Sequence, residues 1–537
     1  MEKNQIYKAE ITGYNADGLG LCRIENMVCF VKGSVRQDVC LIRIVKVLKN
    51  VCYGIVEEIV KPSPSRVASA CPHFPKCGGC DFHHMTYDEE LWFKKDKVER
   101  ALRSIANIET EVTMAGSRYV SHYRNKAQYP VAVKDGKVVT GFYRARSHDV
   151  IPMDNCLLQK EISNKIALFV CDFWQKNSLS VYDEIAHKGV LRHIYIRSGK
   201  DEVQLVLVVT QRDVKKLKAF ISAVTMEFPM ISSVILNIHP DKTNAVLGKT
   251  NITVYGKDTL TGEMCGNLFE ISPPAFFQIN KEQAETIYDQ ALEYAGLDGT
   301  QTVLDLYCGI GTITLHLAKK AKKVYGIEIV PEAIENAKLN AQRNGIENTE
   351  FFCADAGKGA NMLIEKGVKL DVICVDPPRK GMDQNTIDAI LTLAPQKVVY
   401  VSCDCSTMAR DVKILEENGY KLKKASAFDM FPRTSHVETV VLLSQQKSTD
   451  HISVEVDLAE LETTAAEAKA TYAEIKQYVE RAFGLKVSSL YISQVKRKLG
   501  LEVGKNYNLS KKGTRVPTCP LEKERAIIDA LKFFKMI

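Results

Sequence analysis

Near the middle of the chain stands the sequence Asp305-Leu306-Tyr307-Cys308-Gly309-Ile310-Gly311-Thr312, between an apolar run, Thr302–Leu306, and a helical pattern, Thr312–Ala321. Glycines at such a junction let the backbone turn sharply and approach a ligand closely. No third glycine follows Gly309 and Gly311 at the spacing of a dinucleotide-binding motif. This stretch therefore predicts a strand, a tight turn and a helix, and it argues against a dinucleotide fold.

The alternation of strand, loop and helix continues toward the C-terminus. Five further apolar runs are separated by helical segments: Val324–Ile329, Glu350–Ala354, Val372–Val375, Val398–Ser402 and Val437–Leu443. Strands that alternate with helices are typical of a parallel sheet covered on both faces. We therefore expect an α/β domain built on such a sheet.

Carboxylates recur at the predicted strand ends. With Asp305 in the first strand, they are Glu328, Asp355 and Asp376. A parallel sheet binds ligands at the carboxyl ends of its strands, and a carboxylate after the second strand can accept hydrogen bonds from ribose hydroxyls. A Gly-x-Gly turn alone is as often a tight turn and nothing more. Together with these carboxylates, it resembles the cofactor site of a Rossmann-like, S-adenosylmethionine-dependent methyltransferase.

A cysteine follows the fifth predicted strand, in Val401-Ser402-Cys403-Asp404-Cys405, and Glu438 begins the last one. A thiolate at a strand end on the cofactor side suggests covalent catalysis. Methylation at carbon 5 of a pyrimidine needs such a group, because that carbon is too weak a nucleophile by itself. Addition of the thiolate at carbon 6 makes an enolate that can accept the methyl group. A base must then remove the proton from carbon 5 before the thiol leaves.

Four motifs together resemble the RNA (uracil-5-)-methyltransferase family: Cys308-Gly309-Ile310-Gly311-Thr312, Asp376-Pro377-Pro378-Arg379, Ser402-Cys403-Asp404 with Ala409-Arg410-Asp411, and Pro432-x-Thr434-x-His436-x-Glu438. The resemblance implies that Cys403 is the nucleophile and Glu438 the base. It also implies that Gln278, Tyr307, Glu328 and Asp376 contact S-adenosylmethionine. Gln278 lies in Phe276-Phe277-Gln278-Ile279-Asn280, which is similar to the family's Phe-Phe-Gln-Val-Asn.

The sequence departs from the family pattern at Cys405, where the family usually has proline. A second thiol therefore stands close to Cys403, and a slipped register would make Cys405 the reactive one. Ser402 before the pair and Ala409-Arg410-Asp411 after it favour Cys403.

A second group of cysteines has the spacing Cys71-x5-Cys77-x2-Cys80, with Cys156 farther along the chain. Four thiols suit zinc and an iron–sulfur cluster equally well, and His73, His83 and His84 keep a zinc site open. The family resemblance implies a 4Fe–4S cluster on Cys71, Cys77, Cys80 and Cys156, in a structural role.

Composition limits the setting of this chemistry. The chain has 537 residues, 16 cysteines and a formal net charge of +7. It contains no apolar run of the ~18 residues that a membrane-spanning helix needs, and no hydrophobic signal core follows Met1. We expect a cytoplasmic protein with no membrane association, most of its thiols reduced and no obligate protein partner evident. The mild positive charge permits a nucleic-acid partner without demonstrating one.

Four domains are expected. The segments are residues 1–60, an OB-like β-barrel that resembles a TRAM domain and would bind RNA; 61–265, a central α+β iron–sulfur domain; 266–445, the catalytic domain; and 446–537, a basic helical extension. His122-Tyr123-Arg124-Asn125-Lys126-Ala127-Gln128 resembles a family stretch near the substrate and suits phosphate contact and base stacking. In the extension, Glu474–Phe483 and Ser489–Leu499, which carries Lys496-Arg497-Lys498, read equally as a helix-turn-helix RNA anchor or as a solvated helix pair.

The resemblance thus implies an enzyme that makes 5-methyluridine in RNA. Within the family, a TRAM domain together with the cysteine group points to 23S ribosomal RNA more than to transfer RNA. The alternatives are a tRNA uracil-5 methyltransferase, an RNA cytosine-5 methyltransferase and a non-catalytic iron–sulfur RNA-binding or ribosome-assembly factor. Cytosine-5 enzymes usually have a cysteine just after a proline at the end of the fourth strand, whereas Arg379 follows Pro378 here.

Overall fold

A computed structural model describes residues 1–446, 471–501, 519–534 and 536–537 of the chain. The chain divides into two units, Met1–Thr449 and Asp450–Ile537. In the part that the structure describes, no helix has the length and apolar character needed to cross a membrane.

The first unit begins with a six-stranded sheet of order β1-β5-β6-β4-β3-β2. Its strands are β1 (Ile6–Glu10), β2 (Gly13–Tyr14), β3 (Gly20–Ile24), β4 (Met27–Lys32), β5 (Val39–Val47) and β6 (Val51–Lys61). Alternate residues point inward, as expected for a sheet with one solvated face. Cys22, Cys29, Cys40 and Cys52 are buried there among Ile42 and Ile44, so these thiols serve as small apolar core residues.

A long helix, α1 (Tyr87–Ala101), follows and continues as a π-helical turn, Leu102–Ala106, before the short strand β7 (Thr113–Ala115). Thr86 caps the helix, since its hydroxyl accepts from the backbone N–H of Glu89 at 3.4 Å. These elements lie within the segment 61–265, yet β7 joins the eight-stranded sheet of the segment 266–445, which is described below.

A mixed sheet of order β10-β9-β8-β11-β12-β13-β14 occupies the centre of this unit. In chain order its elements are β8 (Lys126–Lys134), β9 (Lys137–Tyr143), β10 (Val150–Pro152), α2 (Glu161–Lys176), β11 (Leu191–Ser198), β12 (Val203–Val209), α3 (Leu217–Glu227), β13 (Ile231–Ile238) and β14 (Thr250–Gly256). Helices α2 and α3 cover one face through Trp174 and Phe220, which pack edge to face with their ring centroids 5.2 Å apart.

The last part of this unit begins with the hairpin β15 (Leu260–Met264) and β16 (Asn267–Ile271) and with α4 (Lys281–Ala295). The remaining elements are β17 (Thr302–Leu306), α5 (Thr312–Ala318), β18 (Lys323–Glu328), α6 (Pro331–Arg343), β19 (Thr349–Cys353), α7 (Ala356–Glu365), β20 (Val372–Val375), α8 (Gln384–Leu393), β21 (Lys397–Ser402), α9 (Cys405–Glu417), β22 (Tyr420–Phe428) and β23 (Glu438–Gln445).

These strands form an eight-stranded sheet of order β19-β18-β17-β20-β21-β23-β22-β7. The first five strands of that order are parallel, as the sequence predicts, with β17 at the centre. The expectation of an all-parallel sheet is wrong at the other edge, because β23 runs antiparallel to both β21 and β22. This reversal places the first residue of β23 beside the last residue of β21.

In the described part of the second unit, three helices pack around one apolar cluster: α10 (Tyr472–Phe483), α11 (Ser489–Lys498) and α12 (Leu521–Phe533). The predicted pair corresponds to α10 and α11, whereas α12 was not predicted. Lys496 is buried and lies over the Tyr472 ring, 4.9 Å from its centroid, so it is not one of the exposed cations expected of an RNA anchor. Four basic residues of the extension, Lys505, Lys511, Lys512 and Arg515, lie outside the described residues.

Candidate active site

The turn after β17 has an unusual backbone. Tyr307, Gly309 and Gly311 have φ values of 67°, 55° and 86°. The turn is closed by a hydrogen bond from Gly311 N to Cys308 O of 2.9 Å. A Cβ on Gly309 would meet nothing within 4 Å. The turn therefore leaves open space at Gly309 for a ligand to approach the backbone.

Glu328, the last residue of β18, faces this turn. Its Oε2 accepts from Gly309 N at 3.2 Å, and its Oε1 accepts from Ile329 N at 2.8 Å and Val330 N at 3.0 Å. The three N–H groups fix the carboxylate at the carboxyl edge of the sheet. This is the position at which a carboxylate can bind ribose hydroxyls.

The other acidic residues lie at different depths. Asp305 is fully buried inside β17, and its Oδ2 accepts from the Thr314 hydroxyl at 2.5 Å. Burial raises the pKa of Asp305 to about 7, with smaller contributions from Asp376 and Glu328. The expectation that Asp305 lines the crevice is therefore wrong, since it lies beneath the turn. Asp355 is half-buried at the start of α7, two residues beyond the end of β19.

Asp376 follows β20 and is joined by residues from α4 and α5. Desolvation raises the pKa of Asp376 to about 7. The buried Tyr288 hydroxyl lies 3.4 Å from Thr312 Oγ1, and it also interacts with the side chain of Gln278 and with the charge of Asp376. The sequence did not indicate Tyr288, because a tyrosine on an apolar helix face is usually a core residue.

The segment that carries Gln278 is held by the central sheet. Asn125 donates its side-chain amide to Gln278 O at 2.9 Å and its backbone N–H to Ile279 O at 2.8 Å. Arg197, in β11, donates to Ser272 O at 3.1 Å and to Ala275 O at 2.9 Å. Phe276 is left 70% exposed between these anchors. The central sheet thus fixes a segment that the sequence marks only by its motif.

Cys403 and Glu438 come together at the reversed strand. Ser402 in β21 pairs with Thr439 in β23, so the residues just beyond that pair, Cys403 and Glu438, lie at the same edge of the sheet. Burial raises the pKa of Cys403 to about 11, with further contributions from Glu438 and Asp376. Glu438 is 7% exposed, and burial together with Asp376 holds its pKa well above the ordinary value. The Arg379 guanidinium opposes both shifts.

The second thiol of this stretch is placed differently. Cys405 is 3% exposed at the start of α9 and packs in the apolar core with Met408 and Val437. Its sulfur lies 4.0 Å from the backbone oxygen of Lys97. The half-buried Cys403 is therefore the thiol that lies beside Glu438 and Asp376.

The four cysteines predicted to bind metal line one cavity of about 240 Å³. None of them forms a disulfide. Cys77 Sγ accepts from Gly79 N at 3.4 Å, and the backbone N–H groups of Leu158 and Gln159 hydrogen-bond the Cys156 sulfur. His83 also lines the cavity, and its Nε2 has no partner among the described residues.

Cations from the segment 122–128 face the same cavity. Arg124, Lys126 and Gln128 contribute to its lining. Burial, with Arg197 and Arg124 nearby, lowers the pKa of Lys126 to about 8. The interpretation of this segment as a base-stacking surface is wrong for Tyr123, because its ring is buried and its hydroxyl donates to Pro432 O at 3.0 Å.

The chain matches the family model described as tRNA (uracil-5-)-methyltransferase over residues 86–446. An uncharacterized RNA methyltransferase of Clostridium tetani is 44% identical over 448 residues, which cover 83% of this chain and 97% of the relative. An uncharacterized RNA methyltransferase of Halalkalibacterium halodurans is 40% identical over 448 residues, which cover 82% of this chain and 98% of that relative.

One solved structure resembles the chain over most of its length. The crystal structure of Pyrococcus abyssi tRNA (uracil-54, C5)-methyltransferase in complex with S-adenosyl-L-homocysteine has a TM-score of 0.65 and 26% identity, covering 81% of this chain and 100% of that chain. This structural likeness and the sequence relatives agree with a cofactor site at the edge of the sheet where Glu328 faces the turn at Gly309. The chain belongs to the tRNA (uracil-5-)-methyltransferase family and is an S-adenosylmethionine-dependent RNA methyltransferase.

Proposed function

We propose that this protein methylates carbon 5 of a uridine in RNA through a covalent adduct between Cys403 and carbon 6, with Glu438 as the base that removes the carbon-5 proton. The observation that carries the proposal is the antiparallel pairing of β21 with β23. The pairing of Ser402 with Thr439 brings the half-buried thiol of Cys403 and the buried carboxylate of Glu438 to the same strand edge.

Each side chain has a defined part in this reaction. The Cys403 thiol loses its proton, and the thiolate forms a bond to carbon 6 while the ring electrons move toward the carbonyl oxygen. Carbon 5 then forms a bond to the methyl group that bound S-adenosylmethionine supplies, the bond from that methyl group to sulfur breaks, and S-adenosyl-L-homocysteine is left. Glu438 then accepts the carbon-5 proton, the double bond between carbons 5 and 6 re-forms, and the bond from carbon 6 to sulfur breaks. The thiolate of Cys403 leaves, and the product is 5-methyluridine.

Gln278, Tyr307, Glu328 and Asp376 are proposed to hold the cofactor. Their fit rests on the fixed Glu328 carboxylate beside a turn that leaves open space at Gly309. Tyr288 and Thr312 are added to this group, because the Tyr288 hydroxyl lies 3.4 Å from Thr312 Oγ1 and also interacts with the side chain of Gln278.

A 4Fe–4S cluster is proposed for the cavity of Cys71, Cys77, Cys80 and Cys156. The residues fit such a group: four thiols converge, N–H groups point at the sulfurs of Cys77 and Cys156, and Arg124 and Lys126 offset the negative charge of a thiolate-bound cluster. Anaerobically purified protein should be brown, absorb broadly near roughly 400 nm and contain iron. A colourless protein with stoichiometric zinc would instead point to a zinc site.

Two RNA substrates are proposed, in order of preference. The first is 23S ribosomal RNA, favoured by the N-terminal six-stranded sheet, interpreted as an RNA-binding TRAM domain, in combination with the cysteine cavity. The second is transfer RNA, because the Pyrococcus abyssi relative is a tRNA (uracil-54, C5)-methyltransferase. The flipped uridine must leave its stack to reach Cys403, which favours loops and unpaired RNA.

Nucleoside mapping distinguishes these substrates. Total RNA from cells with and without the protein would be separated into ribosomal and transfer RNA and analysed by mass spectrometry, with a Cys403→Ala strain as control. Loss of 5-methyluridine from 23S RNA in both mutant strains is expected. Loss of 5-methyluridine from transfer RNA would instead identify transfer RNA as the substrate. Loss of 5-methylcytidine would favour an RNA cytosine-5 methyltransferase. An unchanged nucleoside profile would favour a non-catalytic factor.

A further inference from the structure

The loop that leads into Glu438, residues 431–436, is held by a distant part of the chain. Its backbone passes through Arg433 at a φ of 70°. A non-glycine residue in this region is strained and persists only where neighbouring contacts impose it. The loop therefore depends on what holds it.

One set of contacts comes from α1. The buried carboxylate of Glu90 accepts from Arg433 N at 2.6 Å. Lys94 donates to Phe431 O at 3.2 Å, and Lys97 donates to Ser435 O at 2.9 Å. These bonds fix the two ends and the middle of the loop against one rigid helix.

The other set comes from the residues just after Cys80. The backbone N–H groups of Asp81 and Phe82 both donate to Arg433 O, at 2.8 and 3.1 Å. In return, Ser435 N donates to Asp81 Oδ2 at 2.9 Å. Cys80 lines the four-cysteine cavity, so a single turn of chain forms one wall of that cavity and a clamp on the loop.

We propose that Asp81 is a positioning residue for Glu438: its carboxylate holds the loop 431–436 in the conformation that aims the base at carbon 5. This inference rests on the proposed function. Ser435 stands three positions before Glu438, and its N–H donates to the Asp81 carboxylate. Among the contacts that Asp81 and Phe82 make with the loop, this one is closest in sequence to Glu438. Cys403 lies between β21 and α9. The hydrogen bond between Ser435 and Asp81 involves neither of these elements.

Displacing the loop 431–436 should therefore slow proton removal from carbon 5 more than it slows formation of the adduct with Cys403. Addition of the Cys403 thiolate to carbon 6 and uptake of the methyl group do not use Glu438. Proton removal from carbon 5 does, and only after it can the electrons of the C–H bond re-form the double bond and expel the thiolate. When the base is displaced, the methylated adduct between Cys403 and RNA persists.

The test compares full-length protein with Asp81→Ala and Asp81→Asn, using RNA from cells that lack the protein and methyl-labelled S-adenosylmethionine. Two rates are measured: formation of the denaturant-stable protein–RNA adduct, and release of 5-methyluridine from it. In Asp81→Ala, adduct formation should stay within about twofold of wild type while release slows about fivefold, the effect of losing one hydrogen bond. Asp81→Asn retains an acceptor oxygen and should release product at nearly the wild-type rate.

Asp154→Ala is the matched control, because Asp154 is an exposed aspartate two residues before another cavity cysteine, Cys156. It should leave both rates unchanged. Asp81 is itself exposed, so thermal midpoints and iron content should match in all variants. The proposal is overturned if Asp81→Ala slows both steps equally or neither, if Asp81→Asn is as slow as Asp81→Ala, or if Asp154→Ala slows release. Absence of any methylated adduct or product with wild-type protein would refute the proposed function instead.

Discussion

Ser402 and Thr439 face each other across the antiparallel strands β21 and β23, and this single register brings Cys403 and Glu438 to the same edge of the sheet. The two residues are remote in sequence. They meet because β23 enters the sheet in the opposite direction, so that its first residue lies where the parallel strands end. The nucleophile and the base of the proposed reaction are thus placed by backbone pairing.

The first prediction separates the two neighbouring cysteines. Cys403→Ala should abolish the covalent complex with 5-fluorouridine RNA, because the nucleophilic sulfur is gone. Cys405→Ala should still form it, because the Cys405 sulfur is buried in the apolar core. Denaturing gel electrophoresis after incubation with cofactor and RNA measures both.

Cys405→Ala also supplies an internal check on folding. Removing a buried sulfur should lower stability by about 1 kcal/mol, in the range of ordinary core truncations. An adduct that survives in Cys403→Ala, or one that is lost in a well-folded Cys405→Ala, would reverse the assignment of the nucleophile.

The second prediction concerns pH. The pKa of Cys403 is raised to about 11, so its thiol is mostly protonated in the free protein at pH 7, and burial together with Asp376 raises the pKa of Glu438 well above its ordinary value. Both must be ionised to act. The rate of adduct formation should therefore rise with pH, by about tenfold per unit between pH 7 and 9 if the free thiol governs it.

Arg379 tests the same electrostatics. Its charge lowers the pKa of both groups, so Arg379→Ala should raise both and slow adduct formation at pH 7 by about threefold, a modest effect because Arg379 is exposed. Arg379→Lys keeps the charge and should recover most of the rate. A rate that does not change with pH would show that ionisation of Cys403 is not limiting.

The sequence predicted the parts of this site that are local in the chain. The glycine turn and Glu328 form a strand–turn–helix unit and its neighbouring strand, and the motifs around Cys403 and Glu438 flank single strands. It missed what depends on long-range packing. Tyr288, for example, has the sequence pattern of a core residue on α4, so its contact with Thr312 was not predicted.

The same limit applies to the elements that complete the fold. β7 joins the catalytic sheet from far upstream, pairing Thr113 with Ser426, and β22 was not predicted. The segment 122–128 has the composition of an RNA surface, yet it faces inward because Tyr123 reaches Pro432 and Asn125 reaches Gln278. Composition indicates charge and aromaticity but not the direction in which a segment faces.

A third prediction addresses the cofactor edge. Glu328→Gln should weaken binding of S-adenosyl-L-homocysteine by roughly tenfold or more, because hydrogen bonds to a charged group contribute about 1.5–3 kcal/mol. Glu350→Gln is the control, since Glu350 lies on the neighbouring strand β19 and pairs with Lys323 at 3.2 Å. Isothermal titration calorimetry gives both affinities. Equal affinities for the two variants would remove Glu328 from the cofactor site.

A fourth prediction concerns the buried charges behind the loop 431–436. Lys94 is fully buried between the carboxylates of Glu90 and Asp429, and it donates to both. Lys94→Met should cost about 3–5 kcal/mol of stability, because it removes the cation that Glu90 and Asp429 share and leaves Glu90 only the longer ion pair to Arg433 at 3.5 Å. Lys176→Met removes the partner of Asp172 in an exposed pair on α2 and should change stability by less than about 1 kcal/mol. Thermal denaturation followed by circular dichroism compares them, and similar losses would contradict the buried-charge argument.

The last prediction concerns the C-terminal unit, which lies beyond the family match that ends at residue 446. Deleting residues 450–537 should leave S-adenosyl-L-homocysteine binding intact, because the cofactor edge is formed within the first unit. It should weaken RNA binding, since the deletion removes seven Lys and Arg residues, besides the buried Lys496, between positions 486 and 515, where Glu502 is the one acidic residue. For every RNA phosphate that these cations neutralise in the intact protein, the deletion should reduce the slope of log K against log salt by about 0.7–0.9. RNA affinity measured from 50 to 300 mM salt distinguishes the two interpretations of this unit: an unchanged slope would show that the helices α10 to α12 do not anchor RNA.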